Sequence, residues 1–410
     1  MRVLFFLILC LPLSLFAQFT ESRSEGIRTM RMVLNGVWDA PVIAQLGSDD
    51  RISFSFDEMS HSYNRYTYKV VHCNEDWTPS ELFVSDYLSG FNVQAIENVE
   101  YSQNTTQLYT NYSFTIPNEN ISVKASGNYK VEVYSDDKDE PVAIFGFAVV
   151  EHKVRIGVKA GGNTDIDFND AHQQLELIVD YSGYDVRLPL EELKVRVMQN
   201  NRIDNIVECG PPTYLTANRV EYSHKSELIF AAGNEYRKFE ITDPYVPSIG
   251  VESIEYADEV FNVYLYADEC GVSYRNEQDE NGRYYINTLE GYGNDIEADY
   301  ALVHFCLNVP YREGGDFYLL GDYWGNAFTE SNVLYYDDEA GAYLSSQLMK
   351  FGVYNYQYVW LPRGLDKVQI FPVEGSFYNT GNEYLVLVYQ RAFGERYDRL
   401  IGALSVKTNN

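Results

Sequence analysis

The sequence predicts an all-β protein: three consecutive β-sandwich modules, immunoglobulin-like or early-set-like, behind a cleaved signal peptide. Three observations carry this. The chain holds 36 Tyr and 22 Phe in 410 residues, with only 13 Pro, a composition suited to strands. Apolar residues recur at every second position in run after run, and no stretch sustains a helical period.

The elements follow in order. Residues 1–17, MRVLFFLILCLPLSLFA, have one early Arg, an apolar middle and a small residue at the exit, the pattern of a secretory signal peptide. Cys10 suggests a lipid anchor, but Leu9 stands where a small residue is needed and Ala17 offers a better cut. Beyond it, Ile52, Phe54 and Phe56 alternate with Ser53 and Ser55, and Val131 and Val133 flank Glu132. Val154, Ile156 and Val158 repeat the pattern, then Leu175, Leu177 and Val179, then Leu193, Val195 and Val197. Each run reads as a strand with one buried face. Residues 80–89 offer one helical turn at most, ended by Gly90. At roughly 100–150 residues per domain the length fits about three modules. Charged Glu151, His152 and Lys153 mark one junction, and a polar hairpin over 268–293 leads to another near 295. The expected modules are 22–151, 152–295 and 296–404.

Charge narrows the function. Thirty-one Lys and Arg against 60 Asp and Glu give a net charge of −29, which excludes nucleic acid and disfavours anionic lipid while suiting a basic partner. No later segment has the ~18 consecutive apolar residues of a membrane helix, and the ending SVKTNN lacks the aromatic close of an outer-membrane barrel strand. The expected protein is exported and not inserted in a membrane.

Four cysteines follow the leader: Cys73, Cys209, Cys270 and Cys306. They are widely spaced without C-x-x-C, against zinc or redox motifs, and read as buried thiols ahead of disulfides. His72 beside Cys73 invites a thiol–imidazole pair, but neighbours on a strand point to opposite faces. YTYKVVHC therefore places Tyr66, Tyr68, Val70 and His72 on one face and Cys73 on the other, with Asn74-Glu75-Asp76 opening a turn.

A calcium loop is the sharper temptation. Asp165, Asp167, Asn169 and Glu176 occupy positions one, three, five and twelve of such a loop. Position six is Asp170 where Gly is required, and the flanks read as strands, so a polar hairpin is favoured. No H-E-x-x-H, G-x-S-x-G, P-loop or G-x-G-x-x-G occurs. Carboxylate pairs are too frequent in so acidic a chain to single one out. The reading contains no catalytic residue, cofactor or metal.

Near the C-terminus, GDYWGNAF at 321–328 and the Tyr-rich run VYNYQYVW at 353–360 resemble the early-set sandwiches that accompany starch-active enzymes. Tyr323, Trp324, Tyr354, Tyr356 and Tyr358 are the candidates for touching a partner or a glycan, and packed or protein-binding roles are preferred over sugar binding.

Longer stretches carry a more specific resemblance. NRYTYKVVHCNEDWTPS at 64–80, DYLSGF at 86–91, YSQNTTQLYTNYSFTIPNEN at 101–120 and SGNYKVEVY at 126–134 occur in order. QNNRIDN at 199–205, AAGNEYRKFE at 231–240, ENGRYY at 280–285, KFGVYNYQYV at 350–359 and the long run 374–402 complete them. Together they resemble the type IX secretion system plug proteins of Bacteroidota over nearly the whole chain, with one departure at Ile203, where an aromatic is expected. The resemblance implies a soluble periplasmic protein at the inner side of the outer membrane. It would be monomeric apart from its partner, the outer-membrane translocon barrel, whose periplasmic opening it closes when no cargo is in transit. It implies no enzyme activity and no cofactor. The alternative reading is a periplasmic or surface glycan-binding sandwich centred on the Gly321–Trp324 turn.

Overall fold

The computed structural model describes residues 20–408 apart from 272, 290, 293, 294 and 366, with the backbone alone at 291 and 292; the expected signal peptide lies outside the described residues. These residues are 49% strand and 4% helix, the all-β class expected from period-two patterning.

The N-terminal sandwich closes one aromatic core between two sheets. One contains strands Tyr66–Cys73, Gly127–Ser135 and Ala143–Val150, and the other Ile27–Leu34, Ile52–Glu58 and Thr110–Ile116. Tyr129 faces His72 and Val131 faces Val70 across one pair, and Phe54 faces Phe114 across another. Inward rings stack: Phe56 on Tyr112 at 5.3 Å and Tyr68 on Phe114 at 4.3 Å between centroids. The single helical turn, Val84–Tyr87, is followed at once by strand Leu88–Gly90, so the helix stops before the expected Gly90.

The second core lies between a sheet containing Arg155–Gly161, His172–Asp180 and Arg219–Tyr222 and a four-stranded sheet. In the latter, Leu193–Gln199 pairs with Glu383–Gln390, which pairs with Arg399–Lys407. Val195 and Val197 thus share a core with Tyr384, Val386, Val388 and Ile401. The third core is wrapped by a ten-stranded sheet running from Val251–Ala257 to Gly352–Pro362 and beyond. Strands Arg237–Ile241, Val260–Leu265 and Tyr284–Thr288 belong to this unit. Strands on both sides of residue 295 therefore share one sheet and one core, and the last two strands of the chain return to the middle sandwich. Chain order does not reveal this, because each strand is compatible with several partners until burial selects one.

The four-stranded sheet is buried on its other face as well. Met198, Leu385, Leu387, Tyr389 and Leu400 meet Ala148 and Val150 of the N-terminal sandwich, so the first two units pack sheet to sheet.

Candidate functional site

The turn after His72 is a structural joint. His72 is buried; its Nε2–H donates to the Ser126 carbonyl at 3.0 Å, and Nδ1 accepts from the Ser80 hydroxyl at 2.8 Å. A carbonyl can only accept, so the ring is the neutral Nε2–H tautomer, and burial lowers its pKa. Gly127 makes room for it: with φ at +134°, a Cβ there would lie 2.6 Å from His72 Nε2. Cys73 faces the other way and its buried thiol is pushed up to about 12 by desolvation, so it supplies no thiolate. Trp77 is buried at φ +64°, while Asp76 Oδ1 accepts from the Thr78 amide at 3.0 Å. Buried Glu75 pairs with Lys194 at 2.7 Å and with Arg196 of the middle module. Its amide donates to Asp398, which holds Arg391 at 2.9 Å.

The other joints are also polar and buried. Asp57 and Lys350 meet at 2.7 Å, each about 1% exposed in its side chain. Asp57 also accepts from Tyr300 Oη and Asn111 Nδ2, both at 2.7 Å. Lys350 sits 4.2 Å above the Tyr109 ring; burial lowers its pKa, with Asp57 opposing. Asp299 accepts the amides of Thr106 and Gln107 at 2.7 and 3.0 Å. Between the second and third units, Arg283 Nη2 donates to Glu383 at 2.6 Å; within the second, Asn200 donates to Asn382 at 2.7 Å. Asp322 accepts from Asn326 at 2.6 Å and from Asn201 at 3.3 Å, and burial pushes its carboxyl up to about 6. A cavity of about 160 Å³ lies where the three units meet.

The sequence-predicted site residues fall elsewhere. Tyr354, Tyr356 and Tyr358 are buried. Tyr354 stacks on Phe239 at 5.0 Å and its hydroxyl donates to the Lys350 carbonyl. Tyr356 and Tyr358 donate to Asp268 at 2.7 and 2.9 Å. They cannot meet a glycan or a partner, because strand Gly352–Pro362 is covered on both faces over most of its length. Tyr323 and Trp324, in the short turn Asp322–Trp324, are packed against the third core. Tyr323 Oη donates to the Leu348 carbonyl at 3.0 Å, and Trp324 lies 6.0 Å from Phe305. The three strand tyrosines are core, and half-buried Tyr323 and Trp324 pack against it.

The residues of the calcium-loop pattern, which the sequence reading set behind a polar hairpin, have protein partners. Asp165 accepts from His224 Nδ1 at 2.8 Å and from Gln174 Nε2 at 2.7 Å. Asp167 accepts from the Thr164 hydroxyl at 2.9 Å and His172 Nδ1 at 2.6 Å. Asn169 holds a left-handed turn at φ +50°, and Glu176 lies on a strand beside Lys159 at 3.3 Å. Among the described residues no group of three or more His, Cys, Asp or Glu is placed to hold a metal ion. Each carboxylate is instead engaged by its neighbours in a hairpin. Sequence reasoning missed Asp57, Lys350, Arg283, Glu383 and Asp322; their one signal was that most of them lie in or beside the stretches that carry the family resemblance.

Fold and joints together define a multi-module β-sandwich protein whose distinctive polar residues assemble its own units. The model of the type 9 secretion system plug protein first domain matches residues 27–151. The crystal structure of a hypothetical protein from Parabacteroides merdae ATCC 43184 superposes with a TM-score of 0.93 at 37% identity, covering 95% of this chain and 99% of that one. The C-terminal domain of the Streptococcus pyogenes antigen I/II-family protein AspA aligns at 8% identity with a TM-score of 0.15, covering 92% of this chain and 99% of that one, too low to indicate a common fold. No curated protein matches. The chain belongs to the type IX secretion system plug family, and its role is related to type IX secretion. No helix among the described residues is long and apolar enough to cross a membrane.

Proposed function

We propose that this protein binds the periplasmic side of the outer-membrane type IX translocon barrel and closes its opening while no cargo is passing. One observation carries the reading beyond family membership: the three units are fastened to one another by buried ion pairs and hydrogen bonds, with Lys350–Asp57 the most enclosed. Occlusion requires a body that keeps its shape against a pore, and joints closed by buried ion pairs and hydrogen bonds favour one arrangement of the units. The acidic composition suits a basic rim and reversible, salt-sensitive docking. Nothing in the role calls for turnover.

The test is paired. Deleting the gene in a type IX-secreting host should raise outer-membrane permeability to a bulky antibiotic, and the tagged protein should co-purify with the barrel from detergent extracts. Unchanged permeability together with no co-purification would overturn the proposal. Residue-resolved crosslinking in intact cells would identify the face in contact.

A further inference from the structure

We infer that the cavity at the three-unit junction is the seat of the chain's own N-terminal segment: Gln18 and Phe19 continue strand Thr20–Ser22 along Ala143–Val150, and the Phe19 ring fills the cavity. The pairing of Ala143–Val150 leads to this. One edge of that strand is taken by Gly127–Ser135. On its other edge Thr20–Ser22 runs antiparallel, with Thr20 opposite Phe145, and Ile43–Gln45 runs parallel from Ala148 onward. Among the described residues the pairing on that edge skips Gly146 and Phe147, a gap two residues wide. Continuing the antiparallel register sets Phe19 opposite Gly146 and Gln18 opposite Phe147, whereas Ala17 would meet the place held by Ile43. Cleavage after Ala17, expected from the leader, leaves the two residues that the gap admits.

Backbone and side chains at the gap both suit this occupant. Alternate residues of a strand send their backbone groups to the same edge. On this edge the Val142 carbonyl accepts from the Arg23 amide at 2.9 Å, and the Ala148 amide donates to the Val42 carbonyl at 3.2 Å. Buried Gly146 falls in the same alternation and aims its N–H and C=O into the gap, where an antiparallel partner exchanges both bonds. Residues directly opposite one another share a face of the sheet. The face of Gly146 is that of Ala148, which packs toward Met198, Leu385 and Leu387. All five of these residues, with Thr20, line the cavity. Gly146 projects no side chain of its own, so a ring opposite it can lie across the strand. The volume of about 160 Å³ is close to that of the roughly 150 Å³ apolar cavity that admits a benzene ring.

This inference stands apart from the channel-closing proposal, and its test uses the isolated mature chain, so either can fail without the other. Phe19→Cys, combined with Cys270→Ser and Cys306→Ser, places a thiol at the seat. That thiol should react with a thiol reagent more than about tenfold slower than exposed Cys270 does in the unaltered chain, because the segment must first open. Phe19→Ala should lower the thermal midpoint and create a benzene site, detected by saturation-transfer NMR, that the unaltered chain lacks because its own ring occupies it. Labelling of the Phe19→Cys thiol as fast as Cys270 would overturn the assignment. So would an unchanged midpoint in Phe19→Ala, or equal benzene binding by that variant and the unaltered chain.

Discussion

At the scale of single residues, the molecule places charge where solvent does not reach, and the consequences are measurable. Lys350→Met leaves Asp57 buried with Tyr300 and Asn111 but without its cation, and should cost about 3–5 kcal/mol in chemical denaturation. The double variant Asp57→Asn with Lys350→Met should recover much of that loss, since no charge then stays unpaired. Asp322 and Asp279 give a second test, their carboxyls pushed up by burial to about 6 and about 7. Both values lie above the roughly 3.9 of an unfolded aspartate, so the folded state holds these protons more tightly. The associated stability is complete below about pH 4 and is lost as pH rises through about 6 to 7. Denaturation midpoints should therefore fall between about pH 5 and pH 8, and Asp322→Asn should flatten part of that slope. A steeper slope in the variant would refute the assignment. The cysteines supply a third test. All four are free; Cys73 and Cys209 are buried and Cys270 is exposed. A thiol reagent should label Cys270 first in native protein, and Cys73 and Cys209 only after denaturant.

At the scale of elements, some strands were legible and others misled for a definable reason. Ile52, Phe54 and Phe56 are buried while Ser53 and Ser55 are not, so alternation gave both the strand and its inward face. Tyr354, Tyr356 and Tyr358 show the same period, but the residues between them, Asn355 and Gln357, are buried as well. Asn355 accepts the Glu280 amide and Gln357 donates to the Asn234 carbonyl. A polar residue whose hydrogen bonds are met by protein can lie in the interior, and sequence periodicity cannot distinguish it from one that faces water. The calcium motif failed in a related way: ligand spacing was present, but His224 and Gln174, distant in sequence or on the next strand, had already engaged Asp165. The junction residues had no local pattern at all, because a pair such as Asp57 and Lys350 is separated by 293 positions. A variant at the element level follows from the crowding at His72: Gly127→Ala should destabilise the N-terminal sandwich by more than about 1 kcal/mol, since it combines a steric clash with an unfavourable φ. A wild-type thermal midpoint for this variant would contradict the packing described.

At the scale of the whole molecule, the polar joints make the three units act together. Thermal unfolding should show one cooperative transition, and a chain ending at residue 380 should lose the middle sandwich, because Val195 and Val197 would be stripped of their partner strand. Limited proteolysis of that truncation should cut first within residues 154–231, and protection equal to that of the full chain would argue against the shared core. The same long-range pairing governs the timetable of maturation. The N-terminal unit has all its strands by Val150, so it can condense while the remainder is still being delivered. The middle segment must stay open until Glu383–Gln390 and Arg399–Lys407 arrive, a wait imposed by sequence-distant contacts. A prematurely terminated polypeptide would be left with a ragged hydrophobic gap at its centre, so the architecture itself distinguishes a finished copy from an unfinished one.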